Sequence, residues 1–76
     1  MEGLNMKKLY NELIEKLSNE KEELFIKVCK LEKFIESENY NKLPEYHQFL
    51  LSEQLMGMKI YLKALTYRIK HLEGDN

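Results

Sequence analysis

The chain has no tryptophan, one cysteine, one proline and three glycines among its 76 residues. A single thiol, Cys29, excludes an intramolecular disulfide, and His47 and His71 stand too far apart for a local metal motif. The glycines are scattered, so no phosphate-cradling loop is present, and no nucleophile stands beside a base. These absences predict a protein that is not an enzyme and needs no cofactor. No apolar run approaches the roughly 20 residues of a membrane span, and the opening MEGLNMKKL lacks the apolar stretch of a signal peptide. The expectation is a soluble, intracellular protein.

Arginine is scarce as well: eleven lysines carry the positive charge, and Arg68 is the one guanidinium. With 12 basic and 13 acidic residues the formal net charge is −1. Tracking duplex DNA needs a strong basic excess, so that class of partner is disfavoured. A small anionic ligand fits the balance. The length allows one domain, residues 1–76, and so short a chain struggles to bury enough apolar surface to offset its conformational entropy. With no disulfide or metal available, self-association is the remaining stabiliser.

What the chain does have is helical periodicity. Leu51, Leu55, Met58, Leu62, Leu65, Ile69 and Leu72 recur at alternating steps of four and three, which is an unbroken heptad seam. Pro44 suits the first turn of this helix, where its missing N–H is no loss, and Gly74 stops it near residue 73. The first half repeats the pattern with Tyr10, Leu17, Leu24 and Leu31 in one row and Ile14, Val28 and Ile35 in the other, interrupted by Lys21. LSNEKEEL also reads as a helix start, with Asn19 capping and Glu22 reaching back. Two readings follow: one helix from about residue 6 to 37, or a short helix ending near Leu17 and a longer one beginning at Asn19. A break or bend near residue 19 is the favoured one. In either, Asn5 can cap the N-terminus with Leu4 and Leu9 at the staple positions. SENYNKLP is a short connection whose Tyr40 and Leu43 could close the end of a hairpin. The predicted fold is all-α: an antiparallel helical hairpin assembled into a homo-oligomer.

Assembly is expected because a second apolar stripe lies opposite the seam. Tyr46, Phe49, Leu50, Met56, Gly57, Ile60, Ala64 and Tyr67 fall on outer positions of the second helix, and Leu9, Leu13, Phe25 and Phe34 flank the seam of the first. Gly57 and Ala64, seven apart, would admit another helix at close range. Lys27, Lys30 and Lys33 line one helix, and Lys59, Lys63 and Lys70 the other. Many such lysines are simply solvated, and Glu23, Glu32 and Glu36 are placed to pair with some of them. Arg68 differs, since it falls beside Leu65 and Ile69, where a neighbouring helix can hold its stem and pre-orient the guanidinium.

Residues 28 to 69, VCKLEKFIESENYNKLPEYHQFLLSEQLMGMKIYLKALTYRI, resemble the helical hairpin of phage anti-CBASS and anti-Thoeris sponge proteins. The resemblance rests on Lys30, Leu31, Phe34 and Ile35 before the turn. After it come Leu50, Leu51, Gln54, Leu55, Met58, Tyr61, Leu65, Arg68 and Ile69. A heptad seam does not demand Gln54, Tyr61 or Arg68. The resemblance implies a non-catalytic protein that sequesters cyclic di- or trinucleotide immune signals between the protomers of a homo-oligomer, often a hexamer. It also implies residence in the cytoplasm of the infected bacterial host. By the same resemblance, Tyr10 matches an aromatic that stacks on a base, and Lys27, with Lys30 beside it, a lysine that meets phosphate. Arg68 matches the arginine of a separate three-fold site for cyclic trinucleotides. Cys29 stands where some members carry the hydroxyl that accompanies that arginine, and a thiol is the weaker hydrogen-bond donor. Two other classes stay open: an adaptor hairpin acting through protein contacts, and a binder of single-stranded RNA.

Overall fold

A computed structural model describes residues 2–74 of the chain, with side chains from residue 6 onward. Its order is α1 (Glu2–Ile35), α2 (Glu38–Asn41) and α3 (Glu45–Leu72). The two long helices pack along their length into a rod of 60 × 17 × 16 Å. The described residues form no strand, and none of their helices is long and apolar enough to cross a membrane.

Of the two readings the structure takes the continuous helix: α1 is unbroken, so the favoured break near residue 19 and the separate N-terminal helix do not occur. The physical reason is phase. Leu17 and Leu24 are both buried against α3, and only an uninterrupted helix keeps them and Val28 on one face. Ser18, Asn19 and Glu22 stay exposed, and Lys21 is half-buried, as a stem lying along the seam would be. The helix already runs from Glu2, so Asn5 lies inside it rather than at a cap, and the side chains of Leu4 and Asn5 fall outside the described residues.

The seam itself is as the heptads place it. Leu17, Leu24, Val28, Leu65 and Ile69 form the buried core, with Ile14, Leu55, Met58, Leu62 and Leu72 packed against it. Leu65 is completely buried. Each such aliphatic side chain contributes roughly 1.5–3 kcal/mol relative to exposure, so these five make a small core. The chain exposes 6353 Å². A compact monomer of 9.2 kDa would expose about 4,900 Å² by the usual scaling. Part of that surface is apolar: Tyr46, Ile60, Met56 and Tyr67 of α3, and Phe25 and Ile26 of α1, are each about half exposed or more.

The turn is more ordered than a bare loop. Ser37 caps α2, accepting from the Tyr40 N–H while its hydroxyl donates to the Phe34 carbonyl. Tyr40 packs edge-on against Phe34 at 6.3 Å. Its hydroxyl donates to the Gln48 carbonyl at 2.9 Å and lies 3.1 Å from the Ser52 hydroxyl. Tyr40 thus closes the hairpin end, with Leu43 half-buried beside it. Pro44 occupies the N-cap of α3, one residue before the first turn. Gln48 secures that start by donating to the Leu43 carbonyl at 2.8 Å. At the far end Gly74 adopts φ +84°, a left-handed conformation that favours glycine, and its N–H returns to the His71 carbonyl.

Candidate ligand-binding surface

One ion pair marks a flank of the hairpin. Lys59 of α3 and Glu32 of α1 meet at 2.9 Å, the one salt bridge among the described residues. Cys29, three residues from Glu32, shares that side of α1 by helical spacing, and is half-buried. Arg68 emerges on the other flank. There it lines a groove of about 370 Å³ with Leu13, Ala64, Tyr67, His71 and Leu72. Arg68 is exposed and has no carboxylate partner among the described residues.

The groove follows from local spacing. Ala64, Tyr67, Arg68 and His71 are three and four apart, so they cluster on one patch of α3. Leu13 closes the patch from α1, and Leu72 forms its end. The Tyr67 ring carries the Lys70 ammonium 5.7 Å from its centroid, a cation–π arrangement that leaves a second cation near the groove. Tyr67 and His71 are not among the candidate ligand residues of the sequence pattern. Their signal is present nonetheless, since Tyr67 adjoins Arg68 and His71 follows it by three.

A second cavity lies at the same open end of the hairpin, where Tyr10 faces Met6, Lys7, Asn11, Ile14 and Leu72, with Glu73 at its edge. Tyr10 is partly exposed there. Leu72 separates the two hollows, so Tyr10 and Arg68 come to one end of the molecule but not into one pocket. Lys27 and Lys30 are exposed in the last third of α1, toward the turn, and line neither hollow. Seventeen residues separate Tyr10 from Lys27, about 25 Å along a helix. Lys27 does share the flank of Arg68, because Leu13 and Lys27 stand two heptads apart in one row. Within a single chain, then, Cys29 and Arg68 point to opposite flanks, and the five predicted site residues do not converge.

Gln54, Tyr61 and Arg68 are seven apart and all exposed, forming one line beside the seam of α3. The pattern that a seam alone leaves unexplained is therefore a single strip of surface. A family model described as Sequestin matches residues 11–71. The chain belongs to the Sequestin family. Neither a curated protein nor a solved structure matches it. The Sequestin match spans α2 and nearly all of α3, with α1 from Asn11 onward, so it includes both walls of the Arg68 groove. The family name implies a sequestering role, no enzyme family is indicated, and the match is consistent with the resemblance to cyclic-nucleotide sponges.

Proposed function

We propose that this Sequestin protein sequesters cyclic oligonucleotide immune signals without cleaving them, in the cytoplasm of a phage-infected bacterium. Cyclic dinucleotides are the first ligand class and cyclic trinucleotides the second. The observation that carries the reading is the coincidence of the Sequestin match with an exposed arginine that has no carboxylate partner among the described residues and stands beside a tyrosine in a groove. A cyclic dinucleotide presents two phosphates and two π-faces, so it asks for a few fixed cations and stacking surfaces rather than a highly basic protein. The net charge of −1 is compatible with that.

The site is completed by other copies of the chain. One protomer scatters Tyr10, Lys27, Cys29, Lys30 and Arg68 over two flanks and both halves of the rod. A symmetric homo-oligomer, with a hexamer as the expected form, brings equivalent residues of several protomers together and multiplies each cation. The excess exposed surface, roughly 1,400 Å² above a compact monomer by that scaling, is of the size that stable interfaces bury. Nothing within the chain requires glycine at position 57, because a Cβ placed there would meet nothing within 4 Å, so its face is open to another helix.

The outer apolar stripe of α3 also suits a second reading, an adaptor whose stripe binds a different protein. One experiment separates the two. Thermal melting is followed with cyclic di- and trinucleotides and with linear RNA, and the complexes are weighed by native mass spectrometry. A sponge melts higher only with cyclic ligands and returns them chemically intact. Melting unchanged across the whole cyclic panel would sink the proposal, and stabilisation by linear RNA alone would redirect it.

A further inference from the structure

The two hollows at the open end differ in charge in a way that singles out His71. The Tyr10 hollow holds Lys7 and also Glu73, whose charges offset each other. The Arg68 groove is lined by Arg68 and His71 and, among the described residues, by no carboxylate. Its remaining walls are the Tyr67 ring and the apolar Leu13, Ala64 and Leu72. From α1 the nearest charged residues on this flank are Lys16 and Glu20, three and seven positions beyond Leu13, and neither lines the groove. From α3 itself, Lys70 is engaged over Tyr67.

We infer that His71 is a specificity-determining residue of the Arg68 groove, a titratable second cation that makes capture of a phosphate-bearing ligand tighten as pH falls. Imidazole is the side chain whose ordinary charge change lies between pH 5 and 8. A protonated His71 gives the groove two cationic donors three residues apart, able to address one phosphate or two neighbouring ones. Neutral His71 leaves Arg68 as the one full charge among the lining residues. The inference rests on the sequestration reading for its biological ligand, though the anion chemistry of the groove stands apart from it.

The test uses the full chain with cyclic di-AMP and cyclic tri-AMP as probes, with binding measured by calorimetry from pH 5.5 to 8. Affinity of the wild type for the probe that binds is expected to rise about tenfold toward low pH, a change of about 1.4 kcal/mol. His71→Gln should flatten that slope, His71→Arg should bind tightly at every pH, and His47→Gln should keep the wild-type slope. Binding that is flat with pH in the wild type, or an unchanged slope in His71→Gln, overturns the inference. If neither cyclic probe binds, sequestration of these signals fails first, and inorganic pyrophosphate then serves as the probe. An NMR titration midpoint of His71 that moves up with pyrophosphate, and moves less in Arg68→Gln, upholds the groove as an anion site. A midpoint that pyrophosphate leaves in place overturns it.

Discussion

Lys59 and Glu32 meet at 2.9 Å across the two long helices on one flank of the hairpin, while Arg68 on the other flank has no acidic partner among the described residues. Both ends of the pair are about half exposed, so it adds only a few tenths of a kcal/mol to stability. Its use is geometric: it marks Lys59 as a cation occupied within the chain.

Arg68→Gln should therefore separate binding from folding. The side chain is exposed and makes no ion pair among the described residues, so the unliganded melting temperature should change by less than the equivalent of about 0.5 kcal/mol. The rise in melting temperature given by a cyclic nucleotide should be lost. A melting scan of both proteins with and without ligand checks this, and a large loss of unliganded stability would mark Arg68 as structural instead.

Leu65→Ala should be among the most damaging changes. Leu65 is the one fully buried side chain among the described residues, set in a core of five. Truncation there costs about 2–5 kcal/mol through lost burial and the cavity left behind. For a domain of this size that corresponds to a fall of more than about 10 °C in melting temperature, read by circular dichroism.

Tyr40→Phe tests the closed end. The change keeps the ring that packs on Phe34 and removes the hydroxyl that reaches Gln48 and Ser52. The Gln48 carbonyl also lies within α3, so the expected loss is modest, about 0.5–1.5 kcal/mol. Chemical denaturation should show a lower midpoint with an unchanged slope.

Ile60→Asp tests the outer stripe. Ile60 is 69% exposed and is absent from the packed core, so the isolated hairpin should keep its helical content. Charge at the centre of a buried helix face should break self-association. Sedimentation is expected to show a smaller species than the wild type, and an unchanged mass would place the assembly surface elsewhere.

Much of the fold was legible in the residues because a heptad seam is a local code. Leu51 through Leu72 on α3, and Leu17, Leu24 and Val28 on α1, are buried or half-buried where their spacing puts them. LSNEKEEL misleads for a physical reason. A capping box and a continuous helix draw on the same Asn and Glu residues, and the choice is made by leucines seven apart that gain burial only if the helix runs on. The candidate site was legible in part. Arg68 is marked by its rarity and its position beside the seam. Tyr67 and His71 join it because a groove is closed by Leu13 from the other helix, and no spacing within α3 reveals that partner.

The sequence by itself determined an all-α hairpin, its seam and the apolar excess on its outside, since each is a periodicity carried within one helix. Tertiary structure decided the rest. The pairing of the two helices put Lys59 on Glu32, left Arg68 on the opposite flank from Cys29, and split Tyr10 from Arg68 across Leu72. Those relationships depend on the rotation and register of one helix against another, which the interlocking of side chains sets and no single helix contains.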